Sequence, residues 1–385
     1  MTAAAPHIVL VSHLSEISGA GVALLETACG LRDLGRYRIS LILPGHGPLA
    51  DRARDRSIEP IIIPNPENSL VDASFFHKLK VGYARGRYVL RLKRFLKKEK
   101  ADLVYINSSI SIFPGIAANW QGTPIVWHVH ETLHPENDQW RISLISQWAN
   151  GLLFASQSGA APFSIAGSTP VLIARNAIPV SAISRESDKL RAERPPGDPA
   201  ETVILMNGVY ELKGADILLL AVSQWQQSHP QRKARVIVAG GVDQASPFVH
   251  HLQEILHTHG LTDGVTFAGM QPGLVPLLAR AHVFVSASRT EALPNAIVEA
   301  MAAGVPVIAT DVGDCARLLD HGAAGLVIPP GSPEALAAAL EDLVARPTET
   351  QTRTQNARTK ILAEYGSEDF WQPLTEFLDA LIQNP

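Results

Sequence analysis

The chain has 385 residues, enough for two or three domains with cores of their own and no need of disulfide or metal staples. Hydrophobic residues at 46% and charged residues at 18% describe a globular chain, not a disordered one. Lys+Arg at 33 against Asp+Glu at 37 give a net charge of −4, which argues against a general nucleic-acid binder. From the N-terminus, residues 1–6 carry no basic stretch, and no apolar run approaches the ~20 residues that cross a bilayer. A cytoplasmic protein is expected. The cysteines Cys29 and Cys315 lie far apart and suggest neither a disulfide framework nor a zinc ribbon.

Short β-branched runs then alternate with helical patterns. Strands are predicted over His7–Ser12, Arg38–Leu43, Glu59–Ile63, Asp102–Asn107, Pro124–His130, Leu152–Ala155 and Val171–Ala174. Between the first two, Val22, Leu25, Cys29 and Leu31 give the segment Ala20–Leu34 an apolar helical stripe. Residues 78–100 depart from the average. Ten Lys/Arg are opposed there only by Glu99, which makes the segment +9 and leaves the remainder at −13. A helix from Arg87 brings Arg87, Arg91, Arg94 and Lys98 to one face, while Tyr88, Leu92, Phe95 and Leu96 form a stripe that packs on a sheet or a membrane. An ordinary solvated helix is the competing reading.

Around residues 181–201 the pattern lapses into charge, Pro and Gly, and a linker is predicted there. Further strands follow at Thr202–Met206, Arg235–Ala239, Val265–Phe267, Val283–Ser286, Val305–Ala309 and Gly325–Ile328. Beyond Gly331 the chain reads as helical, ending in Asp369–Ile382 with Phe370, Leu374, Phe377, Leu378 and Leu381 on one stripe. Strands alternating with helices imply βαβ units and parallel sheets, whose ligands sit at the carboxyl ends of the strands. The expected division is an N-terminal Rossmann-like domain 1–180, the linker, a second Rossmann-like domain 202–365, and a C-terminal helix 366–385 that crosses back to the first.

Several chemistries lack their motifs. Gly19-Ala20-Gly21 begins a dinucleotide fingerprint, but the sixth position is Leu24. No P-loop, no nucleophile elbow and no Asp-x-Asp occurs. The informative stretch is Ser286–Gly304. A buried strand ends at Ser286, a polar loop carries Glu291, and a helix begins near Pro294, offering free N–H groups and a positive dipole end to an anion. Glu299 lies one to two turns into that helix, among Ala296, Ile297, Val298, Ala300, Met301 and Ala302. A carboxylate in so apolar a helix points to partners such as sugar hydroxyls rather than to a solvated face.

Glu291-x7-Glu299 within Glu-Ala-Leu-Pro-Asn…Glu-Ala-Met-Ala-Ala-Gly-Val-Pro-Val resembles the signature of retaining glycosyltransferases of GT-B fold, family 4 type (glycosyl transferases group 1). The likeness extends to Asn207–Asp216, Val236–Gly241, Val265–Gly269 and Gly313…Gly331, and more loosely to Ser18–Gly21 and Val129-His130-Glu131. It implies α/β architecture with two facing Rossmann-like domains and a nucleotide-sugar site in the cleft between them. By that resemblance Lys213 neutralises the donor diphosphate, Glu299 grips the ribose and Glu291 contacts the transferred sugar. The amides around Leu293, Pro294, Asn295 and Ala296 take sugar or phosphate oxygens, Gly19 lets backbone approach the phosphates, and His130 hydrogen-bonds a hydroxyl or the reacting centre. The same resemblance implies transfer with retention and without a metal.

Three departures stand out. No Arg precedes Lys213, so Arg289 or Arg175 is the candidate compensating cation. Ser18 and Gly21 replace residues usual in the first loop, and Ala292 stands where Gly is common. His128, His130 and His134 could be weighed as metal ligands, but no Asp joins them at ligand spacing, and no metal or cofactor is expected. The expected partners are a nucleotide sugar and a glycan or lipid-linked acceptor, with an anionic membrane surface at the basic helix and no nucleic acid. The sequence sets no oligomeric state. Two other readings keep the fold: a nucleotide-sugar epimerase or hydrolase, and a catalytically weakened sugar-nucleotide-binding subunit.

Overall fold

The computed structural model describes residues 5–65, 75–131, 133–163, 169–193, 201–291, 294–366 and 371–383. They fall into two units, Met1–Ala177 with Glu368–Pro385, and Ile178–Ser367. The first runs β1 (His7–Val11), α1 (Gly19–Asp33), β2 (Arg38–Leu43), α2 (Pro48–Asp55), β3 (Ile61–Ile62), α3 (Phe75–Glu99), β4 (Leu103–Asn107), α4 (Ile112–Gln121), β5 (Ile125–Val129), α5 (Pro135–Trp148), β6 (Gly151–Phe154), α6 (Gln157–Ala160) and β7 (Val171–Ile173). The second runs α7 (Val180–Ala192), β8 (Glu201–Asn207), α8 (Ala215–Ser228), β9 (Lys233–Ala239), α9 (Pro247–Thr258), β10 (Val265–Gly269), α10 (Val275–Leu278), β11 (Val283–Ser286), α11 (Asn295–Ala302), β12 (Val307–Thr310), α12 (Cys315–Leu318), β13 (Leu326–Ile328), α13 (Pro333–Ala345) and α14 (Pro347–Gly366). The chain then returns to the first unit as α15 (Gln372–Gln383).

In the first unit the strand order is β3-β2-β1-β4-β5-β6-β7, with every pair parallel. The period of two divides β1 between two cores. Ile8 and Leu10 join Leu24, Leu25 and Leu31 of α1 and Leu374, Leu378 and Leu381 of α15, while Val9 and Val11 join Tyr88, Leu92 and Leu96 of α3. A strand covered by helices on both faces has no polar side, which is why the run reads His-Ile-Val-Leu-Val. Burying the three leucines of α15 contributes roughly 1.5–3 kcal/mol each. Tyr37 Oη donates to Asp379 Oδ1 at 2.6 Å and Arg36 pairs with the same carboxylate. The fit is tight at two glycines: a Cβ on Gly30 would stand 2.1 Å from Trp371 Cζ2, and one on Gly151 2.5 Å from Leu381 Cδ1.

The basic helix α3 settles one open point. Tyr88, Val89, Leu92 and Leu96 are buried in the sheet's core, whereas Arg87, Arg91, Arg94 and Lys98 are exposed. The stripe therefore covers the sheet, and the charged side chains meet solvent together with Tyr83 and Leu90.

The second sheet has the order β10-β9-β8-β11-β12-β13, again parallel throughout. Ile204, Met206, Val236, Val238, Val283 and Val285 pack against Leu218, Val222 and Trp225 of α8 and Leu336 and Leu340 of α13. The expected linker over 181–201 is corrected here. Residues up to Ala192 form α7, which buries Val180, Ile183, Ser184 and Ser187. Ser187 Oγ donates to the Ala303 carbonyl at 3.2 Å, and Arg358 of α14 bonds Ser184 and Asp188. Small serines let this helix lie close to its neighbours, so its buried face lacks the apolar signal that marks a helix in sequence. Residues 194–200, the rest of that linker, lie outside the described residues.

Candidate functional site

In the second unit the chain leaves β8 through Gly208 and re-enters a helix at Gly214, both at positive φ (105° and 73°). Neither position accommodates a side chain. A Cβ on Gly208 would meet Lys213 Cγ at 2.6 Å, and one on Gly214 would meet the Ala287 carbonyl at 2.1 Å. Gly240, at the end of β9, lies against Gly208 backbone. The carboxyl edge of β8 and β9 is thus bare main chain, crossed by the Lys213 stem. The ammonium of Lys213 pairs with Glu291 Oε1, and Ser288 Oγ donates to the same oxygen at 2.8 Å. Burial presses the Lys213 pKa down, but Glu291 and Tyr210 together outweigh it and the value rises, so the ammonium stays charged.

Arg289 takes a different role from the expected one. Its guanidinium grips Asp216 in a fork at 2.6 and 3.0 Å and donates to the Glu211 carbonyl at 2.6 Å. Committed on both terminal nitrogens, it fastens the Glu291 loop to the first turn of α8. Arg175 follows β7 in the first unit. Pro294 is buried and precedes α11 as its N-cap, so the helix begins at Asn295, with Ala296 and Glu299 partly exposed along it. Leu293 lies outside the described residues, as does Ala292.

The first unit gathers a polar cluster at the carboxyl ends of β1, β4 and β5. Ser18 caps α1, its Oγ accepting from the Gly21 amide at 3.1 Å, which places exposed Gly19 at the helix start. His128 and His130 share a strand face, their ring centroids 3.8 Å apart. His128 is buried with Nδ1 2.6 Å from Tyr105 Oη, and His130 Nε2 lies 2.7 Å from Asn107 Oδ1. Glu131 accepts from Ser108 Oγ and, at 2.9 Å, from the Ser109 amide.

Ser108 itself sits at φ 92°, a strained conformation for a residue with a Cβ, costing on the order of 1–3 kcal/mol. It is held there by its amide on the His128 carbonyl (2.8 Å) and by Trp127 Nε1 on its own carbonyl (2.9 Å). Burial lowers the pKa of His13, His128 and His130. For Glu131, burial raises the pKa but the Ser108 and Ser109 hydrogen bonds outweigh it, and the carboxyl falls below its ordinary value. At neutral pH the cluster is three neutral imidazoles around one anchored carboxylate. Among the described residues no group of three or more His, Cys, Asp or Glu is placed to hold a metal ion, and His128, His130 and His134 do not form one.

The structure brings Lys213 and Glu291 together. Ser288, Asp216, Asn107, Ser108 and Ser109 were not singled out in the sequence. Their signal was positional, since each lies on or beside a loop that follows a central strand.

Residues 201–346 match the sequence profile of the Glycosyl transferases group 1, and residues 17–162 match that of Glycosyltransferase Family 4. The chain belongs to this glycosyltransferase family. Over 189 residues it is 29% identical to the D-inositol 3-phosphate glycosyltransferase of Corynebacterium diphtheriae, covering 48% of this chain and 43% of that protein. Over 157 residues it is 36% identical to the protein of that name from Rhodococcus erythropolis, covering 39% and 35%. The chain thus matches less than half the length of these relatives. The glycogen synthase of Mycobacterium tuberculosis aligns over 307 residues at 24% identity, covering 74% of this chain and 71% of that protein. Among solved structures, Anabaena Alr3699/HepE in complex with UDP and glucose superposes with a TM-score of 0.81 at 22% identity, covering 97% of this chain and 99% of that one. Sucrose-phosphate synthase from Thermosynechococcus elongatus gives 0.76 at 18%, covering 99% and 100%. These likenesses establish the GT-B fold of the family, with its two Rossmann-like parallel-sheet domains.

Proposed function

We propose that the protein transfers a hexosyl group from a nucleoside diphosphate sugar, of UDP or GDP type, to a glycan or lipid-linked acceptor, with retention and without a metal or other cofactor. The observation that carries this reading is the Lys213–Glu291 pair held over the bare backbone of Gly208 and Gly240. A diphosphate brought to that edge meets a cation and exposed main chain, and the Lys213 ammonium exchanges its carboxylate partner for phosphate oxygens. Glu291, released, accepts hydrogen bonds from sugar hydroxyls, and Glu299 does the same for the ribose. Asn295 and Ala296 present the start of α11 to the donor. Gly19, lacking a Cβ, lets backbone approach the phosphates, and His130 offers a ring nitrogen to the transferred sugar. In the reaction the bond from the anomeric carbon to the leaving phosphate oxygen breaks as the acceptor oxygen bonds the same face. The acceptor's proton passes to the departing phosphate, whose growing charge Lys213 stabilises.

Nucleotide release from a panel of UDP- and GDP-sugars, with and without acceptor, tests the proposal. UDP-glucose heads the panel because the Anabaena structural neighbour was also crystallised with it. Acceptor-dependent release is expected. Free sugar without acceptor would make the protein a hydrolase, and an isomerised donor an epimerase. Binding without turnover would make it a weakened sugar-nucleotide-binding subunit, a reading favoured by the engagement of Arg289 with Asp216.

The exposed basic face of α3 supports an enzyme held peripherally on an anionic membrane surface, on the cytoplasmic side in this reading, and the net charge of −4 argues against a nucleic-acid partner. No helix among the described residues is long and apolar enough to cross a membrane. With its apolar stripe buried, α3 would bind chiefly by charge, and salt would weaken it. Reversing Arg87, Arg91, Arg94 and Lys98 should lower partition onto anionic vesicles by at least roughly 10³-fold, since loss of each basic residue alone costs about 1 kcal/mol. Equal partition of wild type and variant removes the membrane contact.

A further inference from the structure

Asn107 closes β4 and is completely buried. Its side-chain amide spans two segments of the first unit. Nδ2 donates to the Ala20 carbonyl, in the first turn of α1, at 3.2 Å, and Oδ1 lies 2.7 Å from His130 Nε2. The chemistry of these groups leaves one arrangement. A backbone carbonyl only accepts, so the NH2 end of the amide faces Ala20 and Oδ1 faces the imidazole. An amide oxygen also only accepts, so His130 Nε2 carries a hydrogen. A neutral imidazole has a single N–H, which leaves Nδ1 with a lone pair.

Two further observations bear on that lone pair. Nδ1 of His130 has no hydrogen-bond partner among the described residues, and the residue is partly exposed. The titratable groups facing the ring are Glu131, His13 and His128. Glu131 favours protonation, but burial and His13 oppose it, and the ring stays neutral well below its ordinary pKa. Glu131 is itself engaged with Ser108 and Ser109.

We propose that Asn107 is a positioning residue: by accepting from Nε2–H it holds His130 in the tautomer whose Nδ1 accepts a hydrogen bond from a hydroxyl of the transferred sugar. The inference deepens the glycosyltransferase reading and rests on it for the identity of the hydroxyl. It also gives a buried asparagine at a strand end a reason to be asparagine. Leucine fills the same volume without the bond, and aspartate keeps the acceptor while adding a charge.

The test compares wild type with Asn107→Leu and Asn107→Asp, using histidine ring nitrogen NMR on the whole chain and the pH profile of kcat/KM for the donor. The His130 resonances are assigned by their absence from His130→Gln. Wild type should show an Nε2–H proton protected from exchange. Asn107→Leu should lose that protection and lower kcat/KM by about 10- to 100-fold, as expected for one hydrogen bond to a buried polar group. Asn107→Asp should keep the proton and shift the acid limb to higher pH, because the added carboxylate favours the imidazolium. A group that merely packs would leave that limb in place. The proposal is overturned if wild-type His130 carries its proton on Nδ1, if protection persists in Asn107→Leu, or if Asn107→Asp leaves the limb unmoved. Should Asn107→Leu fail to fold, the wild-type signature and the Asn107→Asp limb decide. His130→Gln separates the two layers. Transfer at the wild-type rate in that variant would remove His130 from the reaction, while the Nε2–H proton still reports whether Asn107 sets the tautomer.

Discussion

The two units repeat one sheet order. In each, the first strand lies between the second and the fourth, and the chemistry gathers at the ends of the first and fourth strands, joined in the first unit by the fifth. What they build there differs. The first unit buries neutral imidazoles and serines around an anchored carboxylate, with one residue in a strained backbone conformation. The second leaves a charged lysine–glutamate pair partly open to solvent on a rim of glycines. A buried neutral cluster is over-determined by its hydrogen bonds and holds its geometry. A partly exposed ion pair can exchange one partner for another at modest cost, because solvent screens what the pair loses. The first arrangement suits orientation of a substrate and the second suits capture of a diphosphate.

The contrast is broken most severely at Gly214. Alanine there would place Cβ 2.1 Å from the Ala287 carbonyl in a residue at φ 73°, and backbone cannot yield as a flexible side chain can. Destabilisation of about 2–4 kcal/mol is expected, seen as a lower urea midpoint with unchanged slope. A wild-type midpoint would mean that the rim does not depend on this close approach.

Acid should separate the two constellations. The folded pKa values of His13, His128 and His130 lie below the unfolded value of 6.5, so the unfolded chain binds more protons as pH falls below 6.5. Stability is therefore full above that pH and declines beneath it. Glu131 adds a second loss below 4.5, since its folded pKa is lowered too. In the second unit Lys213 stays charged throughout this range, its pKa being raised. Calorimetry from pH 7 to pH 5 should show a falling melting temperature, and His128→Asn should flatten that dependence. An equally steep decline in the variant would place the acid sensitivity elsewhere.

The mildest change is Asp216→Asn. It loosens Arg289, which retains its bond to the Glu211 carbonyl, and the pair is about one third exposed on the arginine side. A rise in donor KM of up to about fivefold with little change in kcat is expected, in line with ~1 kcal/mol for a partly solvated pair. A gain in donor affinity would instead show that freed Arg289 can reach the diphosphate.

Much of this was legible in the sequence, for identifiable reasons. Runs such as Val236-Ile237-Val238 announce strands covered on both faces, and Glu299 stands out as a carboxylate in apolar company. The roles that escaped depend on distance through space. Arg289 reads as a spare cation until Asp216, 73 positions away in the chain, is seen to hold it. Asn107 reads as the last residue of a strand, since neither Ala20 nor His130 is its neighbour in sequence. Helix α7 was hidden because serines, not leucines, form part of its buried face. Periodicity reports burial of apolar groups, and these features rest on small or polar ones.

The central claim is that the Lys213–Glu291 pair is where a nucleoside diphosphate sugar is taken up. The direct measurement is acceptor-dependent UDP release from UDP-glucose by wild type, Lys213→Ala and Glu291→Gln, each checked for an unchanged fold by circular dichroism. The account predicts that Lys213→Ala lowers kcat on the order of 10²- to 10³-fold, as loss of one group stabilising developing charge does, with Glu291→Gln also impaired. Wild-type turnover by either variant would contradict it.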